Sequence, residues 1–187
     1  EAAAAMLVLA QKPVISVNGN TTALCAKEIV RLARQIPARI EVNLFYRTKK
    51  RLRLIEKEFK KYGAKILGTK ATNRVPGLKS KRQFVDPNGI FAADVVLVML
   101  EDGDRTEFLK KMGKKVIAID LNPLSRTAKK ADITIVDNVT RAVALLSKSL
   151  KRTKRLGVRR AQEMINKHNN KDLLHKVEAR MRKGKGL

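Results

Sequence analysis

The chain has 187 residues, enough to bury one sizeable core and too few to require two. Its 42 Lys and Arg against 17 Asp and Glu leave a formal charge of +25, shared as 29 against 14 through residue 150 and 13 against 3 beyond it. That balance favours polyanionic partners, either nucleic acid or phosphorylated small molecules. A single cysteine, Cys25, excludes an internal disulfide and a multi-cysteine zinc site and fits a reducing, cytoplasmic compartment. With no Trp and 4% aromatics, the composition is poor for a single-strand nucleic-acid reader built on stacking.

Residues 1–11 read as an Ala-rich helix, apolar nearly all round. Its apolar run of residues 2–10 falls far short of the ~20 needed to span a bilayer, and it lacks the basic n-region of a signal peptide. A chain that opens midway through a helical pattern is expected to have lost its true start. Residues 14–17 form a short central strand that breaks into the turn Asn18-Gly19-Asn20, and Leu24, Ile29, Leu32, Ala33 and Ile36 then carry the one-sided spacing of a helix packed on a sheet. A second strand is expected over 40–45, followed by a basic helix with the face Leu52, Ile55, Phe59 and Tyr62, ended by Gly63. A third strand is expected over 64–67.

The longest irregular stretch runs over 68–88 and holds Lys70, Arg74, Lys79, Lys81 and Arg82 before its first acid, Asp86. A connection of that length inside a compact domain is often functional. The most apolar strand, 93–100, should lie centrally and ends in Glu101-Asp102-Gly103-Asp104. A helix near 105–112 and a strand over 116–120 lead into a short helix opened by Pro123, a strand ending in Asp137 and Asn138, and a helix over 139–150 packed through Val143, Leu146 and Leu150. Two tail helices follow, one aligning Val158, Ala161, Ile165 and His168, the other Leu173, Val177 and Met181, with Asn169 and Asn170 turning between them and 183–187 fraying. The regular alternation predicts one α/β domain over 1–150, a mostly parallel sheet with helices on both faces, and a basic helical tail over 151–187.

No Walker A sequence and no GxGxxG is present. The turn at Asn18 and Asn20, with Thr21 and Thr22 opening a helix, is either a phosphate cradle or an ordinary capped strand-to-helix turn. Three carboxylates at 101–104 are enough to hold magnesium, yet Asp104 with Glu107 also spells a capping box. Asn122 before Pro123 is likewise a good helix start. Asp120 at a strand end, with Ser125, Arg126 and Thr127 one turn further on, brings basic and hydroxyl groups to the crevice where parallel sheets bind ligands. Arg47, after Tyr46, offers either a bidentate anion fork or a solvated strand-end cation. His168 and His175 have no third metal ligand nearby, and no metal site is assigned; no nucleophile and base pairing supports covalent catalysis.

Six segments carry a family resemblance: PVISVNGN at 13–20, EVNLFYRT at 41–48, VPGLKSKR at 75–82, DVVLVMLEDGDRTE at 94–107, IDLNPLSRTA at 119–128 and ITIVDN at 133–138. In fixed order over about residues 1–150, they resemble the archaeal phosphopantothenate synthetases, the 4-phosphopantoate–β-alanine ligases. The resemblance implies a Rossmann-like homodimer that uses ATP, with Mg2+, to join 4-phosphopantoate to β-alanine in coenzyme A synthesis through an acyl-adenylate, releasing AMP and pyrophosphate. It implies nucleotide contacts at Asp120, Leu121, Asn122, Arg126, Thr127, Asn138 and Val139. Asn18, Asn20, Tyr46, Arg47 and Arg105 become candidates for the phosphopantoate and phosphate contacts, and Arg126, Asp102 and Asp104 for the catalytic step. Family members carry an N-terminal helical region with nucleotide-binding arginines ahead of the point where this chain begins.

Two other readings stay open: a basic nucleic-acid-binding protein, on the charge and the tail, and a truncated, inactive nucleotide-binding fold.

Overall fold

A computed structural model describes residues 1–184. Strands β1 (Pro13–Val17) and β2 (Arg39–Val42) are followed by a small antiparallel pair, β3 (Asn73–Arg74) and β4 (Phe84–Val85), and then by β5 (Val95–Met99), β6 (Lys115–Asp120) and β7 (Ile133–Val136). Five of these form one parallel sheet in the order β2-β1-β5-β6-β7. Helices α1 (Ala2–Leu9), α2 (Gly19–Gln35), α3 (Lys49–Lys61), α4 (Gly103–Lys111), α5 (Arg126–Lys130), α6 (Val139–Asn166) and α7 (Asn170–Arg182) surround it.

Strand side chains alternate between two cores, as a period of two requires. Ile15, Val17, Ile40, Val42, Leu97, Met99, Ile117 and Ile119 face α1, α2, α3 and α6. Val14, Val96, Val98, Val116 and Ala118 face the opposite way, onto Leu109 of α4, Ala131 after α5, and Val75, Leu78, Val85 and Ile90 of the segment 68–93. Both faces of a parallel sheet are thereby covered, which is why its strands read as almost unbroken apolar runs. The Ala-rich α1 lies along α6, where Ala3, Ala4 and Ala5 are buried.

Several expected elements differ from those observed. The strand expected over 64–67 is a single parallel bridge, Leu67 to Glu41. Gly63 and Gly68, both at positive φ, turn the chain on either side of it and stop the ladder. The second strand stops at Val42 rather than at 45. Its next residue, Asn43, is spent holding the segment 68–93, its side-chain amide donating to Arg82 O at 3.0 Å and Phe84 O at 3.1 Å.

The helix expected at Pro123 begins three residues later. Asp120 and Asn122 each accept the backbone N–H two residues on, at 2.9 Å, and these Asx turns fill the connection until Ser125 caps α5. The separate helix over 139–150 and the first tail helix are one helix, α6, which runs through residue 150 and kinks at Gly157 (φ 80°). Val158, just past the kink, is exposed, and in α7 the buried apolar residue is Leu174. Asn169 caps α7, while Asn170 donates to Ala128 O and Ala131 O at the end of α5 and ties the tail to the sheet domain. Lys183 and Gly184 form a turn after α7, and the rest of the expected frayed end lies outside the described residues.

The segment 68–93 is a strap clamped to the buried side of β2. Glu41, wholly buried, accepts the N–H of Asp86 at 2.9 Å and of Ile90 at 2.6 Å. Gly68 and Gly89 press against it, so that a Cβ on Gly89 would stand 1.9 Å from Glu41 Oε2. Burial pushes the Glu41 carboxyl from 4.5 up to about 7, against the two backbone N–H groups and Arg105, which pull it down.

Two outcomes follow from this clamp. Gly89→Ala forces a methyl group into a pinned carboxylate and should cost about 1–3 kcal/mol, read by urea unfolding. Because the folded protein holds the Glu41 proton more tightly than the unfolded chain, its contribution to stability is complete below about pH 4.5 and is lost as pH rises through about 7. Melting temperatures recorded between pH 4.5 and 8 should show a downward slope in the wild type that is shallower in Glu41→Gln.

Candidate active site

The chain leaves β1 towards β2 on one side and returns to β5 on the other, so the loops after β1 and β5 diverge and open a crevice at their carboxyl ends. Asn18 spans that crevice. Its side-chain oxygen caps α2 at Thr21 N (3.1 Å), while its amide donates to Met99 O at 3.0 Å and Leu100 O at 3.3 Å, stitching the end of β1 to the end of β5. Thr21 completes the capping box by accepting from Asn18 N. The Asn18 side chain is therefore engaged within the fold, whereas Asn20, one residue into α2 beyond Gly19, is exposed. Leu100, at φ 51°, sits in the left-handed region, a conformation costing a side-chain-bearing residue roughly 1–2 kcal/mol. That turn precedes Glu101, which enters the crevice buried.

Glu101, with its side chain 2% exposed, is held between two guanidinium groups. Arg105, at 0%, pairs with Glu101 Oε2 and donates to Ser16 Oγ at 3.0 Å. Arg82, at 10%, comes in from the strap to pair with Glu101 Oε1 and places Nε 2.9 Å from Asp102 Oδ2. Burial pushes the Glu101 carboxyl above the ordinary carboxylate range, and Arg105 and Arg82 draw it back down. Arg105 Nε and Nη2, Arg82 Nε and Nη1, Asp102 Oδ2 and Asn43 Oδ1 are buried with no hydrogen-bond partner among the described residues, so that the Arg82 guanidinium is held by ion pairing alone.

The acids at 101–104 thus divide their work instead of pooling it. Asp102, rather than Asp104, is the N-cap of α4, accepting from Arg105 N at 2.8 Å. The capping box expected from Asp104 and Glu107 does not form: Asp104 pairs with Arg126, and Glu107 with Lys111 at 3.2 Å and Lys130 at 3.4 Å. No group of three metal-ligating side chains occurs among the described residues. A magnesium ion would fit this edge as a rider on phosphate oxygens with one or two carboxylates, its usual habit, and not in a protein cage.

On the other side of β5 the ends of β6 and β7 lie side by side, with Asp120 opposite Val136. Asp120 accepts from Asn122 N at 2.9 Å and from Ser125 Oγ at 2.6 Å, fixing the turn that exposes Leu121 and Asn122. Thr127, buried, donates its hydroxyl to Glu101 O at 3.0 Å and so ties α5 to the end of β5. Arg126 lies over the first turn of α4, where a Cβ on Gly103 would stand 2.3 Å from its own Cβ, and its pair with Asp104 is exposed on both sides (61% and 62%). Asn138 caps α6 through Thr140 N at 3.0 Å, with Val139 buried beneath it. Asp120, Arg126, Thr127 and Asn138 share one carboxyl edge.

Beyond β2, Tyr46 is exposed and packs edge-on against Phe45. Arg47 reaches back to the strap, donating to Gly68 O and, at 3.4 Å, to Thr69 O. A surface cavity of about 480 Å³ borders this corner through Gly19, Thr22, Arg51 and Leu54. A larger one, about 540 Å³, lies between α5 and α7 and meets the edge only at Pro123 and Leu124.

Sequence reasoning missed Arg82, Ser16, Glu41 and Asn43. For the last two a signal existed, since polar residues alternate with Ile40, Val42 and Leu44 where a buried parallel strand should be apolar throughout. Arg82 had none, being one of five bases in an irregular stretch.

The chain has named relatives. Over 143 residues, 75% of the chain, it is 59% identical to a 4-phosphopantoate–β-alanine ligase of Thermococcus onnurineus, of which it covers 55%. To the ligases so named in Methanosarcina mazei and Methanospirillum hungatei it is 49% identical over 92% of the chain and 51% over 78%, covering 68% and 60% of those proteins. The chain spans little more than half the length of the Thermococcus relative. Residues 1–184 match the family described as phosphopantothenate/pantothenate synthetase, and the chain belongs to it.

Proposed function

We propose that the chain carries the sheet domain of an ATP-dependent ligase that joins 4-phosphopantoate to β-alanine, a step of coenzyme A synthesis. The observation that carries this is the single carboxyl edge on which Asp120, Arg126, Thr127 and Asn138 meet a buried, arginine-lined crevice, in a chain 49–59% identical to proteins so named. ATP fits the β6 and β7 end. Asp120, Leu121 and Asn122 offer a turn held rigid by Asx bonds, and Asn138 and Val139 start a long helix whose dipole favours an anion.

A carboxylate is a poor electrophile, so the acid must first be activated. The 4-phosphopantoate carboxylate attacks the α-phosphorus, pyrophosphate leaves, and an acyl-adenylate forms. The amine of β-alanine then attacks the acyl carbon, AMP leaves, and a proton is lost from nitrogen. Arg126 and Thr127 stabilise charge on the phosphates, where preorganised donors are worth most. Asn20, Tyr46 and Arg47 are the contacts we assign to the acid, with Asn18 shaping the floor of the crevice and Arg105 buried behind Glu101. Asp102 and Asp104 steer the β-alanine ammonium; Asp104 in particular is freed when Arg126 turns to phosphate. A magnesium ion would be held at this edge by one or two of the carboxylates Asp102 and Asp104 and would supply positive charge to the leaving pyrophosphate.

Among the described residues no helix is long and apolar enough to cross a membrane. On the family resemblance we extend the proposal to a cytoplasmic homodimer. Nothing beyond charge favours the nucleic-acid reading, and part of the tail's charge is met locally, Arg160 pairing with Glu163 and Arg182 with Glu178.

The test is AMP release by the full-length protein, dependent on both 4-phosphopantoate and β-alanine. Arg126→Ala and Asp120→Ala should each lower kcat/KM by about a hundredfold or more. Wild-type rates in either variant would remove that residue's assignment, and no AMP from the wild type would remove the ligase reading.

A further inference from the structure

The strap has a use that the reading above leaves open. Arg105, a candidate for direct contact with the acid, is at 0% exposure behind Glu101, whereas Arg82 stands in front of Glu101 at 10%. Arg82 sets Nη1 against Glu101 and Nε against Asp102 as ion pairs, and both atoms are buried, which leaves Nη2 for a ligand. The backbone that carries it is fastened on both sides: Asn43 holds Arg82 O and Phe84 O, Glu41 holds the N–H groups of Asp86 and Ile90, and Arg47 holds Gly68 O. Val75 and Leu78, before Arg82, and Val85 and Ile90, after it, are buried under the sheet. A long basic segment fastened this thoroughly delivers one guanidinium to the switch point and leaves Lys70, Arg74, Lys79 and Lys81 outside the buried set.

We propose that Arg82 is the residue that grips the anionic end of the acid substrate, a carboxylate or phosphate monoester, and that Arg105 acts behind it as a positioning residue through Glu101. A guanidinium with two of its nitrogens fixed by acids presents its remaining donor at a set angle, as anion recognition requires. Arg105 pairs with Glu101 and draws its carboxyl down against the effect of burial, and Ser16 keeps Arg105 in place. The strap is then the element that reads the acid, and β6 and β7 the elements that read the nucleotide. The identity of the acid rests on the ligase reading; the anion site does not.

The experiment is calorimetric titration of the full-length protein with 4-phosphopantoate and, separately, with ATP, in the wild type, Arg82→Gln and Arg82→Lys, with melting temperatures recorded alongside. Arg82→Gln should weaken 4-phosphopantoate binding by about tenfold or more and leave ATP binding within about threefold, because a lost charge-assisted hydrogen bond is local. Arg82→Lys, which keeps the charge and loses the fork, should recover only part of the loss. Unphosphorylated pantoate and inorganic phosphate as further titrants tell which end is held: a loss shared with pantoate places the carboxylate on Arg82, and a loss shared with phosphate places the phosphate there.

A folded Arg82→Gln that binds 4-phosphopantoate as tightly as the wild type overturns the proposal, as does a parallel loss of acid affinity, ATP affinity and melting temperature. Should Arg82→Gln not fold, Arg82→Lys carries the same comparison. A wild type that binds the acid but releases no AMP overturns the ligase reading and leaves Arg82 standing. One that binds neither 4-phosphopantoate nor inorganic phosphate overturns the anion site.

Discussion

A single carboxylate taken out of water, shared by two guanidinium groups from different parts of the chain, fixes the geometry of the crevice. Charges removed from water cost several kcal/mol each, and an uncompensated one is worse, so deleting either partner of such a pair typically costs about 3–5 kcal/mol. Arg105 comes from α4, Arg82 from the strap and Ser16 from β1, while Glu101 itself follows the strained Leu100 at the end of β5. Three pieces of chain far apart in sequence, at residues 16, 82 and 101–105, are thereby held to one geometry before any ligand arrives, and preorganisation of that kind is what lets donors act on a substrate without first rearranging.

The strap shows how an irregular segment can be as fixed as a helix. Its own ladder is a two-residue pair, too little to order it. Order comes from β2, whose buried side presents Glu41 and Asn43 to the strap's backbone groups. Each bond made there satisfies a group that would otherwise be buried unpaired. The raised carboxyl of Glu41 is the cost of that arrangement, and the two glycines packed against it are the steric condition for it.

What could be read from the sequence follows from the same physics. The apolar strands and the helices on them were legible because burial on a sheet imposes a repeating pattern, and the six segments of the family resemblance carried the ends of β1, β5, β6 and β7. Where several polar residues compete for one role, local rules failed. Asp102, Asp104 and Glu107 all suit the start of α4, and Asn122 and Ser125 both suit the start of α5; the choice between them was made by Arg82, Arg126 and Asp120, which lie outside each motif. Residues 64–67 have the composition of a strand, but the glycines flanking them and Glu41 beneath leave room for one bridge only. Arg82 could not be singled out, because its position is set by side chains on a strand about forty residues earlier.

The two halves of the crevice differ in how tightly they are held, and the difference suits the order of the proposed chemistry. Arg126 and Asp104 are more than half exposed, and such a pair is worth about 0–1 kcal/mol. Arg126 can therefore exchange Asp104 for a phosphate at almost no cost, and Asp104 becomes available to an ammonium group when it does. Arg82 has no such freedom, because leaving Glu101 would strand a buried charge. On the proposed chemistry, one side of the crevice would yield to a nucleotide that enters and leaves as different species, while the other would hold the acid through both steps. Thr127 joins them: its hydroxyl on the Glu101 carbonyl sets the start of α5 at a fixed distance from the arginine pair. In the proposed reaction an exchange at Arg126 would leave that contact in place, so that an activated carboxyl could meet its amine while still held.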